Sequence, residues 1–358
     1  MSGDTSDHGT LGRRLRESDP AKAAEHFRIA ADEGDLESAS SLGYMYMTGE
    51  GVGTDRSLSE RYLTQAAEGG ILSAMTNLGF LLSSEKPEES FKWFSVAADK
   101  GSVTAMKNLS AMYSEGRGVG ADAGEARKWL EKAADCGDAD GLCVLASMYR
   151  NGSGAEKDCL KAAEYYRRAL ELGDMEACYD LAFMLENGEG IPRDRVEAER
   201  LFRMAAEHGD TDACLCMGGI CYERGDFTGA ESFFLEAALK GEVKAQYNLG
   251  LIYLEGNLGE KDPAKAAEWF QMSAEQGFAL AHTMLGNLAL DGNDVKTAVS
   301  HFRESAEQGE PTAQYNLGAL GLSGQVKMDE KEALEWVTRA ASAGLEPAMD
   351  LLVRINSM

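Results

Sequence analysis

The chain is poor in proline and histidine, and it has no apolar run of membrane-spanning length. Six prolines in 358 residues, with no low-complexity segment, exclude a proline-rich extended chain and leave the composition of a folded, helical protein. No stretch approaches the roughly 20 consecutive apolar residues that cross a bilayer. The first 18 residues are polar, contain Arg13, Arg14 and Arg16, and hold no apolar run long enough for a signal peptide. The expectation is a soluble, cytoplasmic protein with a polar N-terminal tail over residues 1–18 and no membrane span.

Basic residues are also in deficit. Sixty acidic residues against 35 basic ones give a net charge of −25, which repels polyanions and argues against nucleic acid or an anionic membrane surface as the main partner. A partner with a basic segment is favoured. Most of the carboxylates are expected to cap helices and to solvate outer helix faces.

What the chain does have is a period. A helix tail ending Ala-Ala-x-x-Gly, followed by a helix carrying Leu-Gly, recurs every 31 to 36 residues. The punctuating glycines are Gly34, Gly70, Gly101, Gly137, Gly173, Gly209, Gly241, Gly277, Gly309 and Gly344. Small pairs such as Ala97 and Ala98 precede them, and bulky residues such as Phe27, Phe94, Tyr166, Phe234, Phe270 and Phe302 stand seven residues before them on the same helical stripe. After each glycine, alanine falls at the fourth position and leucine at the eighth, as in Leu78-Gly79 and Leu249-Gly250. A unit of this kind buries its apolar face only by stacking on its neighbours.

The boundaries carry matching signals. Asp19, Asp55, Asp122, Asp158, Asp194, Asp226, Asp262, Asp294 and Asp329 open helices as N-caps, with Pro20 and Pro263 at first helical positions. Lys86-Pro87 departs from the rule. The interhelical glycines end helices in the left-handed conformation. Clusters such as Gly49-Glu50-Gly51-Val52-Gly53 follow a helix, so they read as helix termination and not as phosphate cradles.

The segments AQYNLGLIYLEG, from Ala245 to Gly256, and DPAKAAEWFQMSAEQG, from Asp262 to Gly277, resemble the Sel-1-like repeat family, relatives of tetratricopeptide repeats. The resemblance covers about residues 20 to 356. It implies an all-α fold, a right-handed α/α superhelical solenoid of about ten stacked antiparallel helix pairs, used chiefly to hold other proteins together. Nine full repeats start at Ser38, Ala74, Ala105, Gly141, Ala177, Ala213, Ala245, Ala281 and Ala313, about residues 38–344, with flanking helices at 20–33 and 345–356. One continuous, elongated array over residues 19–358 is expected.

Chemistry is sparse. His26 and His301 stand eight residues before an interhelical glycine, the place of Trp93, Trp129, Trp269 and Trp336, and read as packing substitutions. His282 takes the position of Gln246 and Gln314, and His208 precedes a turn glycine, so no dyad with a nucleophile emerges. Cys214, Cys216 and Cys221 form C-x-C-x4-C on one helix with the first two on different sides, unlike a tetrahedral zinc site. In secreted relatives a cysteine pair eight residues apart staples each repeat; here Cys178 and Cys214 occupy the second site while Leu170 and Ala206 occupy the first. The seven cysteines read as buried, reduced thiols. No catalytic residue, cofactor or metal site is assigned, and a β-lactam hydrolase of the kind described for some secreted relatives is disfavoured.

The tetratricopeptide resemblance implies that the Leu-Gly helix lines a concave groove with its third, sixth, tenth and thirteenth residues after the glycine. These positions collect a partner-binding cluster of Tyr179, Phe183, Tyr222, Tyr247, Leu251, Leu254 and Tyr315, flanked by Glu176, Glu186 and Asp212. Tyrosines that bury a ring and keep a wet hydroxyl are common anchors. A carboxylate-tail clamp is not expected, because Lys107 is followed four residues on by Ala111. The first reading is a non-catalytic scaffold or adaptor binding a protein segment; the alternative is a receptor for a small molecule or a glycan or peptide fragment in the same groove. The trailing helix, with Leu351, Leu352 and Ile355 and no clear polar cap, offers a second contact, end-to-end homo-oligomerisation.

Overall fold

The computed structural model describes residues 7–357. Residues 1–6 of the expected tail, and Met358, lie outside the described residues. Among the described residues there are 21 helices and no strand, most of them 13 residues long.

By its internal contacts the chain divides into two compact units, Met1–Arg195 and Val196–Met358. The first holds α1 (His8–Leu15), α2 (Pro20–Asp32), α3 (Leu36–Thr48), α4 (Arg56–Glu68), α5 (Leu72–Leu82), α6 (Pro87–Asp99), α7 (Val103–Glu115), α8 (Ala123–Asp135), α9 (Ala139–Asn151), α10 (Cys159–Glu171) and α11 (Ala177–Asn187). Each odd-numbered helix up to α9 packs on the helix after it. At the boundary α12 (Arg195–Glu207) begins. The second unit continues with α13 (Thr211–Glu223), α14 (Phe227–Leu239), α15 (Val243–Glu255), α16 (Pro263–Glu275), α17 (Ala279–Asp291), α18 (Val295–Glu307), α19 (Pro311–Leu322), α20 (Glu330–Ser342) and α21 (Glu346–Asn356). Here the pairs are α13–α14, α15–α16, α17–α18 and α19–α20, and α21 packs on α20. The period itself runs through residue 195 without a change of pattern.

The turns follow from local chemistry. At Gly101 the backbone reverses with φ +92°, and nothing lies within 4 Å of where a Cβ would sit. Conformation alone demands glycine there. The Gly101 N–H donates to the Ala98 carbonyl at 2.9 Å and the Ser102 N–H to the Ala97 carbonyl at 2.9 Å, the Schellman pattern that satisfies carbonyls at a helix end. All ten interhelical glycines share the positive φ. On the opposite side, Asp19, Asp55, Asp122, Asp158, Asp226, Asp262, Asp294 and Asp329 accept backbone N–H bonds as N-caps. Lys86 makes no side-chain cap bond and pairs with Glu60 instead.

Within a pair, the ring seven residues before the turn lies against the bare Cα of the Leu-Gly glycine. A Cβ at Gly79 would fall 2.7 Å from Cε1 of Phe94. Phe94, Ala97 and Ala98 are buried with Leu78, Leu109 and Met112 in the first unit's core. In the second unit Phe270 and Leu285, Phe302 and Leu317, and Val337 and Ala340 anchor successive clusters.

Residues 8–15 correct one expectation. They form a helix packed on α2 and not a polar tail, because Leu11-Gly12 is itself a Leu-Gly pair: a Cβ at Gly12 would fall 2.6 Å from the Phe27 ring. The histidines are corrected too. His26 and His301 do not simply replace tryptophan. His8 and His26 bring their Nδ1 atoms to 2.8 Å, and His282 and His301 to 3.1 Å. The ring centroids lie 5.0 and 5.4 Å apart, close to the sum expected for collinear N–H···N bonds. In each pair one ring donates and the other accepts.

The cysteines are all free, but only Cys178, Cys214 and Cys221 are buried; Cys136 is exposed, and Cys143, Cys159 and Cys216 are half-buried. The expectation of uniformly buried thiols therefore holds for three of the seven. Burial pushes the Cys214 thiol up to about 11, so it stays protonated and inert as a nucleophile.

Candidate functional site

The predicted groove residues lie in two separate settings, one per unit. In the first unit, Tyr179 and Phe183 sit one turn apart on α11 with ring centroids 6.3 Å apart. Phe183 is 38% exposed, and the Arg150 guanidinium lies 5.2 Å from its ring centre. That guanidinium is itself held by Asp180 at 2.8 Å and Glu189 at 2.9 Å. Glu176 is exposed at the start of α11. Glu186 is not a free rim carboxylate, since it accepts from Arg193 at 2.7 Å and lies 3.2 Å from Arg195.

In the second unit the structure brings Tyr222 and Leu251 together, while Leu251 also packs with Tyr247 and Leu254 on the cluster around Phe270. Tyr222 and Leu251 line a concavity of about 210 Å³ between α13 and α15, with Gly219, Glu223, Phe234 and Asn248. Phe234, buried on α14, supplies an apolar surface. The Tyr222 hydroxyl donates to Glu255 at 2.5 Å, and the Asn257 amide donates to the same carboxylate at 2.8 Å. The Glu255 hydrogen bond, followed by partial burial, raises the phenol above its ordinary range. Glu223 is exposed and unpaired among the described residues. The wall is therefore an apolar dent with carboxylates on its rim.

The other predicted residues serve different ends. Tyr247 is half-buried between Phe270 at 5.6 Å and Phe278 at 5.3 Å, and Leu254 joins it against the same cluster. Tyr315 packs on the cluster around Val337 and Ala340. Asp212 is exposed near the start of α13, at the far end from Tyr222. Gly219, Glu223, Phe234 and Asn248 were not singled out from the sequence, yet the signal was present. Gly219 is the smallest residue in a column that elsewhere reads Tyr44, Phe80, Ala111, Ser147, Phe183, Leu251, Asn287 and Ala319.

Ser83-Ser84-Glu85-Lys86 contains the serine–lysine spacing of some acyl-transfer enzymes, but Ser83 donates to the Phe80 carbonyl at 2.8 Å and Lys86 pairs with Glu60. Among the described residues no three His, Cys, Asp or Glu side chains gather as a metal site, and no helix is long and apolar enough to cross a membrane.

Comparison with known proteins agrees with the geometry. Sel1 repeats are recognised at residues 7–35, 36–71, 72–102, 103–138, 139–174, 176–210, 243–278, 279–310 and 311–345. Residues 211–242 fall between matches, yet they fold as the α13–α14 pair. The chain is similar to c5321, a protective antigen present in uropathogenic Escherichia coli strains displaying an SLR fold, with 33% identity, TM-score 0.82, and coverage of 97% of this chain and 78% of that one. Partial similarity extends to the chitin synthase regulator SKT5 of Saccharomyces cerevisiae, 40% identical over 108 residues, 28% of this chain and 16% of that protein. It extends also to an uncharacterized protein of Neisseria meningitidis serogroup B, 31% identical over 91 residues, 25% of this chain and 20% of that protein. The match thus spans a fifth or less of those two curated relatives. With Sel1 repeats along most of its length and a fold shared with c5321, the chain belongs to the Sel1 repeat family.

Proposed function

We propose that this protein is a non-catalytic adaptor that holds a protein segment against its first-helix faces, with the α13–α15 concavity as an anchor point. The family's fold generally mediates protein–protein interaction. The observation that carries the reading is the pairing of an apolar dent over Phe234 and Leu251 with the carboxylates of Glu223 and Glu255 at its rim. A segment offering one apolar side chain beside Lys or Arg satisfies both. Unit-wide charge points the same way, since residues 196–358 carry twice as many acidic as basic groups.

A cytoplasmic setting is part of the reading and is supported by seven free thiols, which persist most readily in a reducing compartment. Self-association through α21 is a second contact, supported by the exposed Met349 and Val353 on that helix. Sedimentation over a range of concentrations tests it, and Val353→Asp should return any dimer to monomer.

The adaptor reading is tested by affinity capture with the intact protein and with Gly219→Trp. Gly219 has open space around it, so the indole fills the dent without disturbing the fold. A protein captured by the parent and lost from the folded variant supports the reading; identical capture by both proteins overturns the anchor assignment.

A further inference from the structure

Two helix pairs carry a histidine contact in the same register. His8 and His282 stand three residues before the leucines of Leu11-Gly12 and Leu285-Gly286, and His26 and His301 stand eight residues before Gly34 and Gly309. Elsewhere these two places read Gln246 with Trp269 and Gln314 with Trp336, pairs without a group that titrates near neutrality. His8 and His26 hold their Nδ1 atoms 2.8 Å apart, with ring centroids 5.0 Å apart. That nearly collinear arrangement is the geometry of an N–H···N hydrogen bond. With both rings neutral, one Nδ1–H donates to the other Nδ1. One added proton keeps the bond and gives it charge, whereas a second leaves two N–H groups facing each other with no acceptor.

The two pairs differ in what surrounds them. At α17–α18 the contact lies within a run of helices, with α16 packed on α17 and α19 on α18. At α1 it lies on a helix of eight residues that packs on α2 and, to a lesser extent, on α3. A helix of that length does not persist alone in water. Its other holds are the seat of Gly12 against Phe27 and the Arg16 guanidinium, which lies 2.8 Å from Glu50 and 5.5 Å from the centre of the Tyr44 ring. The charged groups beside the pair are Asp7 next to His8, Lys22 and Glu25 along α2 from His26, and Asp35 at the α3 N-cap, whose carboxylate lies 2.8 Å from where a Gly9 Cβ would sit. Hydrogen bonds from Thr10 hold the Asp7 carboxyl below the usual carboxylate range, and Arg16 does the same for Glu50. Asp35 accepts from the Ser38 N–H and hydroxyl. Between pH 7 and 5 the imidazoles are therefore the groups that change charge here.

We propose that the His8–His26 bond is an acid-sensitive latch on α1: a second proton on the pair unlatches the helix from α2 and uncovers Phe27, which is 1% exposed in the closed form. The closed pair binds one added proton and the released pair binds two, so release is favoured as pH falls below the ordinary histidine value of about 6.5. That one extra proton raises the opening constant about tenfold between pH 6.5 and 5. Short helices at the edge of a fold are drawn from its least stable part, where a change of this size is visible. The α17–α18 pair has the same chemistry but is flanked on both sides, so it has no helix to let go. The latch lies in the first unit and does not rest on the α13–α15 anchor.

The test is amide hydrogen exchange of the full chain between pH 7.5 and 5, with rates corrected for the intrinsic pH dependence of exchange. Protection of the α1 amides should fall about tenfold from pH 6.5 to 5, while α3 and α4 keep theirs. His8→Gln with His26→Trp, the pairing found at Gln246 and Trp269, should keep α1 equally protected across the range. In the parent, ¹⁵N spectra of the two imidazoles follow the protons without any substitution: one proton adds while α1 is protected, and the second adds as protection is lost. The proposal is overturned if α1 protection in the parent does not change between pH 6.5 and 5, if the double variant loses protection to the same extent, or if both rings become protonated while α1 remains protected.

Discussion

Phe94 lies against Gly79 so closely that a single added methyl group would sit 2.7 Å from the ring. The glycine costs helix propensity, and the ring's burial offsets that cost. The same residue type at Gly219 has nothing within 4 Å, and there the missing side chain leaves a dent instead of a seat.

The two glycines should therefore respond in opposite directions to alanine. Gly79→Ala forces the Phe94 ring or the α5–α6 spacing to shift and should lose about 1–3 kcal/mol, the usual range for overpacking. Gly219→Ala meets no neighbour and should gain up to about 1 kcal/mol from helix propensity. Thermal and urea denaturation of the two variants beside the parent decide it; equal responses would show that the ring is not seated on the glycine.

A third glycine class answers to backbone conformation alone. Gly101→Ala should cost about 1–2 kcal/mol, the penalty for an L-residue held in the left-handed region, despite the open space at that site. Gly101→Asn should recover part of the loss, because asparagine tolerates that region better. The ordering of the three melting temperatures is the readout.

The His282–His301 contact makes stability depend on pH in a defined direction. Burial, and then the neighbouring His282, hold His301 below its ordinary value of 6.5, with Glu304 opposing them. The unfolded chain therefore binds a proton more readily than the folded one just below pH 6.5. The contribution is fully present above about 6.5 and is lost as pH falls through the window down to the folded value. Two protonated rings cannot share the contact at 3.1 Å. Melting temperatures from pH 8 to 5 should fall more steeply for the parent than for His282→Gln with His301→Trp, the combination already present as Gln246 with Trp269 and Gln314 with Trp336. Parallel curves would remove the histidine pair as the cause.

Partner capture should be more sensitive to Gly219→Trp than to Tyr247→Ala, provided both variants are folded. The Tyr247 ring is wedged between Phe270 and Phe278, so truncating it opens a cavity and should cost about 3–5 kcal/mol at the upper end of large-to-small changes. Loss of capture in that variant would report unfolding as much as lost contact. Circular dichroism and capture measured on the same preparations separate the two.

The repeat itself was legible in the sequence for a simple reason. Turn glycines need a positive φ, N-cap aspartates need free N–H groups, and Leu-Gly pairs need a ring above them; each demand falls on one residue and its near neighbours in the chain. Even α1 was readable, since Leu11-Gly12 repeats the Leu78-Gly79 signal ahead of Phe27. The groove positions came from helix register alone. Register picked out Tyr222 and Leu251, which share a concavity, and equally Tyr247 and Tyr315, which are half-buried against the clusters around Phe270 and Val337.

By itself, then, the sequence determined the helices, their ends, their pairing and the family, because those depend on local backbone chemistry repeated at a fixed period. Only the tertiary structure decided which rings stay open, that Glu186 is spoken for by Arg193 and Arg195, and that His8 meets His26. These facts depend on side-chain volumes summed across helices that are neighbours in space, and a period in the chain carries no record of that sum.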